Sequence, residues 1–193
     1  MRYPHWQYYK SILSDLEVLS RYVQICQDNY ETYSIELTKL LLSVGSEVDV
    51  VAKLLCGATE SPKSPDNINS YREILTAKFP NLPDVEVSLP KYAISFQPWH
   101  EWLQDKTPDW WYGYNKVKHE RDTHFRDGNL KNVLLATGGL CVLVSYLYYN
   151  DFISQGLGIT QLFMFLDHKY KSADKVLTTG DYRLPDFETD AKS

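Results

Sequence analysis

The residues best suited to chemistry gather in one stretch, Trp110 to Asn132, centred on Tyr114-Asn115-Lys116-Val117-Lys118-His119. On a helix, Asn115, Lys118, His119 and Asp122 stand at offsets of three, four and seven and share one side, with Arg121 flanking it and His124 and Arg126 just beyond. Lys116, Lys118, Arg121, Arg126 and Lys131 outweigh Glu120, Asp122 and Asp127 here, so the segment is locally basic in a chain of net charge −5. An imidazole is a natural proton carrier, and a cation beside it can hold a phosphate. Asn115 is a poor residue for a helix interior, which suggests a bonding role for its amide. The blander alternatives are a surface histidine bonded to a nearby acid and a solvated face at Lys118 and Arg121.

The elements that must position these residues are helical. Leu37, Leu40, Leu41, Val44, Val48, Val51 and Leu55 form one apolar stripe and predict a helix over about 30–56, stopped by Gly57. A helix over about 6–27 precedes it, and a shorter one over about 68–78 follows. Pro80, Pro83, Pro90 and Pro98 make 80–107 a long irregular connection, which Tyr92, Phe96, Trp99 and Trp102 should pack down. Thr107, Pro108 and Asp109 start the helix that carries Asn115 and His119 to about Arg121 or beyond. The last helix, about 128–151, is apolar nearly all round, and its face at Ala136 and Gly139 permits close approach of a neighbour or of a second subunit. Glu47 falls on the edge of the stripe. A half-buried carboxylate wants a partner, and Lys118, His119 or Arg121 would serve, either to orient the histidine or as a structural ion pair. Asp49 faces outward and can pair with Lys53.

Composition bounds the function. An acidic chain is a poor sequence-blind nucleic-acid coat, though a small basic site is compatible with it. Aromatic residues reach 14%, which suits large core side chains or, alternatively, stacking on bases. Cys26, Cys56 and Cys141 form no metal-ligand or CxxC spacing and read as buried free thiols of a reducing cytoplasm. Val133 to Tyr149 is uncharged but shorter than the ~20 residues a bilayer needs, so it reads as a buried helix and no membrane is expected. Neither a phosphate-binding glycine loop nor a metalloprotease or esterase motif occurs, and no metal or cofactor is expected.

The run Tyr114-Asn115-Lys116-Val117-Lys118-His119, placed after a long helix pair and before an apolar helix, resembles the signature of the HEPN superfamily. These are all-helical domains of toxins, abortive-infection proteins and antiviral defence systems. Their motif is an arginine, a polar residue that is often asparagine, three to five residues, then histidine. Asn115 and His119 match it, and Tyr114 stands at the arginine position. The resemblance spans about 6–151 and implies an all-α helical bundle, within a helical domain over 1–155. The weaker pattern after Gly156 and Gly158 reads as a peripheral extension over 156–193, in which Leu162-Phe163-Met164-Phe165 is a short strand or a docked extended piece. The resemblance also implies a homodimer and metal-independent RNA cleavage, with His119 moving a proton and the arginine stabilising charge. With Tyr114 in the arginine's place, that charge would have to come from Lys118 or Arg121. The other expectation is a non-catalytic module that dimerises through the 128–151 helix or binds a protein partner.

Overall fold

Two apolar helices make the centre of the molecule. In α2, Ile35–Gly57, every residue of the stripe from Leu37 to Leu55 is buried. In α6, Leu130–Leu147, nearly the whole surface is buried. These two pack chiefly on each other, and both α1, Pro4–Leu19, and α4, Asp109–His119, lie against the pair. α3, Ile68–Lys78, packs on α2 with Tyr71, Ile74 and Leu75 inward, and α5, Arg121–His124, is a single turn. The protein is thus mainly helical. The computed structural model describes residues 2–59, 61–151 and 164–166.

The ends of the helices follow local bonds. Ser34 caps α2 by accepting from the Leu37 amide at 3.1 Å, and Asn67 and Ser70 form a reciprocal capping box on α3. Asn129 caps α6 by accepting from the Asn132 amide at 2.9 Å. Two helices are shorter than their apolar spacing predicts. α1 stops at Leu19 instead of running to about 27, because the chain turns back to bury Ile25. Residues 30–33, expected to open α2, instead run beside the start of α6, where the Leu130 amide donates to the Thr32 carbonyl at 2.9 Å. The helix of Asn115 breaks at Glu120, whose φ of −137° and ψ of 48° leave the helical region.

The connection over 80–107 is packed down, with Trp99 and Trp102 buried. It holds two strands, β1, Val87–Leu89, and β2, Ile94–Phe96, paired antiparallel. A third, β3, Phe165–Leu166, pairs with the other edge of β1, and Met164 is wholly buried with its carbonyl accepting from the Tyr9 hydroxyl at 2.7 Å. So the described part of the 156–193 extension is docked, as a short strand or extended piece at 162–165 would be. The rest of it, with Gly156, Gly158 and His168, lies outside the described residues.

The face of α6 at Ala136 and Gly139 meets this chain's own tryptophans. A Cβ on Gly139 would stand 3.0 Å from the Trp110 ring and 3.2 Å from that of Trp99. α6 is long and apolar enough to cross a membrane by composition, but 83% of it is buried within the fold. Among the described residues the face at Ala136 and Gly139 therefore meets a neighbour within this chain, the first of the two expected alternatives.

Cys56 and Cys141 are buried as expected, whereas Cys26 is partly exposed. Burial pushes the Cys56 thiol up to about 12, so it stays protonated and unreactive at neutral pH. Iodoacetamide on the folded protein should therefore label Cys26 first, with Cys56 labelled only on addition of denaturant. Peptide mapping that found Cys56 modified as fast as Cys26 would contradict this burial.

Candidate functional site

α4 is amphipathic in a way that sorts its residues cleanly. Trp110, Trp111, Gly113, Tyr114 and Val117 are buried, while Tyr112, Lys116, Lys118 and His119 are exposed and Asn115 is half-buried. Two glycines let the helix sit close to its neighbours. A Cβ on Gly45 of α2 would stand 2.3 Å from the Tyr114 ring, and one on Gly113 would stand 2.4 Å from the Asn132 side-chain nitrogen. Asn132 in turn donates to the Asp127 carbonyl at 2.9 Å and so fixes the connection from α5 to α6.

Tyr114 is accordingly a packing residue, 3% exposed, with its ring 5.1 Å from that of Trp111. The Lys118 ammonium lies 5.5 Å from the Tyr114 ring centroid, a cation–π distance that leaves the charge in water. Lys118 thus places a cation over the ring of Tyr114. Asn115, Lys116, His119 and Arg121 make no side-chain hydrogen bond or ion pair among the described residues, and all except Asn115 are well exposed. Lys116 and Lys118 near the end of α4, and Arg121 just past its break, form no ion pair among the described residues. They also complement the negative end of the helix dipole, which on its own would account for Lys116 and Lys118.

Other charged groups of the segment are spent locally. His124 lies 3.5 Å from Glu120 and 3.3 Å from Asp127, and the Arg126 guanidinium stacks 5.5 Å over the Tyr33 ring. Asp122 falls beyond the break at Glu120, so it does not continue the helical face of Asn115 and His119 as its spacing implies.

Glu47 does not join the site. Its carboxylate pairs with His5 Nδ1 at 2.7 Å, not with Lys118, His119 or Arg121. The reason is helical geometry: Gly45 faces α4, and a residue two positions on projects from roughly the opposite side of α2, toward α1. The pair is largely buried, at 20% and 13% side-chain exposure, and the Tyr148 ring stacks 6.5 Å from His5. Burial, then the charges of Glu47 and Asp151, push the Tyr148 phenol up against the lowering effect of a bond from the His5 backbone. This cluster ties the first turn of α1 to α2 and α6. Asp49 pairs with Lys53 at 2.5 Å as expected, and also accepts from the Tyr71 hydroxyl at 2.7 Å.

Sequence reasoning missed His5 and Tyr112. Nothing in the local sequence of His5 signals Glu47, which lies across an interhelix contact. Tyr112 had a signal: it stands three residues before Asn115 and seven before His119, on the same face. Among the described residues no cluster of His, Cys, Asp and Glu is arranged to hold a metal. Comparison with protein-family models, with curated proteins and with solved structures returns no match for this chain.

Proposed function

We propose that the protein is an HEPN-like RNA-binding protein of a phage-defence or toxin-type system, and that His119 gives it metal-independent endoribonuclease activity. One observation carries the reading. Half-buried Asn115 and exposed His119 stand on α4 free of protein partners among the described residues, on the same helix as the unpaired Lys116 and Lys118 and one turn before the unpaired Arg121. A cation cluster attracts phosphate, and an imidazole without a structural bond is available to move a proton.

The step is a transesterification. His119 takes the proton of a ribose 2′-hydroxyl, the 2′-oxygen attacks phosphorus, and the bond to the 5′-oxygen breaks. The leaving 5′-oxygen takes a proton from an acid, and the products are a 2′,3′-cyclic phosphate and a 5′-hydroxyl. Lys118, steadied on Tyr114, and Arg121 offset the charge that builds on the phosphate oxygens. Incubation of the purified protein with mixed RNA in EDTA tests the reading. Expected are a gel shift that weakens as salt is raised and fragments ending in cyclic phosphate. Absence of any RNA binding at low salt would overturn it.

A second reading, an association module, is favoured by a separate feature. α1 and α2 flank an open groove of about 630 Å³, whose lining includes Val18, Leu19, Tyr22, Val23 and Leu40. Tyr22 is 82% exposed, and Tyr8, Val18 and Ile35 are exposed apolar residues of the same two helices or their ends. Lys39 is tied to Glu36 at 2.9 Å, whereas Asp15 and Arg21 have no ionic partner among the described residues. Asp15 in the lining and Arg21 next to Tyr22 in sequence are the opposite charges two copies could exchange, so we take the occupant to be a second copy of this chain. Sedimentation should give a dimer for the wild type and a monomer for Tyr22→Asp; a wild-type monomer at high concentration removes this reading.

A further inference from the structure

We infer that Tyr112 is a stacking platform for one base of a single-stranded RNA whose backbone runs along α4 past Lys116 and Asn115 to His119. This inference rests on the RNA reading above and names the substrate class, single-stranded rather than duplex RNA.

The geometry is that of a helix at about 100° per residue. On α4, Tyr112, Asn115, Lys116 and His119 fall within an arc of about 100°. The buried residues Trp110, Trp111, Gly113, Tyr114 and Val117 occupy the other side, where only the exposed Lys118 emerges, over the Tyr114 ring. The outer strip therefore carries, side by side, an aromatic face, an amide, a cation and an imidazole. From Tyr112 to His119 the strip rises about 10 Å. A base stacked on the phenol ring leaves its own phosphate near Lys116 and brings the neighbouring one toward His119.

Packing gives no other reason for Tyr112. Tyr112 is 54% exposed, while the adjacent Trp110 and Trp111 are only 0% and 6% exposed. An isolated exposed tyrosine is ordinary and would carry nothing by itself. The inference comes from its place on the same strip as three polar groups that have no protein partner among the described residues. The combination of cations tracking a backbone with an aromatic side chain for a base is what single-strand binding requires. Duplex RNA would leave the ring idle, since its bases are already stacked and it offers only phosphates and 2′-hydroxyls to a convex helix. The acids nearby are Asp109, at the far end of the strip, Glu120, engaged by His124, and Asp122 beyond the break.

The test uses the full chain with a short unstructured RNA, the same RNA annealed to its complement, and the variants Tyr112→Ala, Tyr112→Trp and His119→Ala. Binding is read by fluorescence anisotropy, and stacking by quenching of a 2-aminopurine placed in the strand. The wild type should prefer the single strand and quench the probe. Tyr112→Ala should bind it on the order of tenfold more weakly and lose the quenching. Tyr112→Trp should restore both, a rescue that a structural role at an exposed position would not produce. Equal binding by the wild type and Tyr112→Ala, with RNA bound, overturns the platform and leaves the RNA reading standing. Preference for the duplex likewise overturns it. Failure of the wild type to bind either RNA overturns both.

Discussion

Replacing Trp110 by alanine should cost about 3–5 kcal/mol of stability, a large part of the roughly 5–15 kcal/mol that a domain has. The ring is wholly buried, and it stands edge-on to Trp99 at 5.0 Å and to Trp111 at 5.7 Å. Its indole N–H donates to the Pro98 carbonyl at 2.8 Å, so the variant leaves both a cavity and an acceptor without its donor. Trp99 depends on the same packing: its own N–H donates to the Gly139 carbonyl at 3.1 Å, in the middle of α6. Loss of Trp110 therefore loosens α4 and the 80–107 connection from α6 together. Chemical denaturation should show the midpoint falling, and melting should come earlier by about 6–20 °C. The control sits two residues away on the same helix. Tyr112→Ala removes an exposed ring and should change stability by no more than about 0.5 kcal/mol. A Trp110→Ala variant as stable as Tyr112→Ala would show that this cluster does not anchor the helix.

The same contrast explains how much was legible in the sequence. The stripe of α2 and the all-apolar α6 are properties of residue spacing, and they read correctly because burial imposes the spacing. Helix ends read less well. Leu19, Val23 and Cys26 continue a helical rhythm past the true end of α1, because partly buried residues in a turn can keep that rhythm by coincidence. Only the pairing of 30–33 with the start of α6, a hundred residues away in the chain, selects the turn. The partner of Glu47 was illegible for a related reason. Sequence places a carboxylate on the edge of a stripe, but which helix covers that edge depends on the packing of α1 and α4 around α2. Asn115, Lys118 and His119 share α4 as their spacing implies, because all three lie before the break at Glu120; Asp122 and Arg121 do not, because they lie after it. The apolar run at 162–165 signals a docked piece, but not where it docks, since its partners are Tyr9 and β1.

His119→Ala should reduce RNA cleavage by about 10²–10⁴-fold, the usual contribution of a positioned acid or base. RNA affinity should change little, since Lys116, Lys118 and Arg121 keep the positive charge that attracts phosphate. The fold should also be unaffected, because the imidazole is exposed and holds no structural bond among the described residues. That separation of chemistry from binding and stability makes the variant decisive. Lys118→Ala should act differently. Its ammonium sits 5.5 Å from the Tyr114 ring, and on the proposed mechanism it offsets charge in the transition state and contributes to binding as well. Its loss should lower cleavage by roughly 10²-fold, in the range of a single electrostatic stabiliser, and weaken binding with a shallower salt dependence. Lys118→Arg should keep most of both, because the guanidinium can stack on the same ring. Equal cleavage by the wild type and His119→Ala would assign the activity to another site or to a contaminant. Binding without cleavage by either would leave an RNA-binding protein in which Tyr114, fixed in the core against Gly45, has taken the place of the charge that catalysis requires.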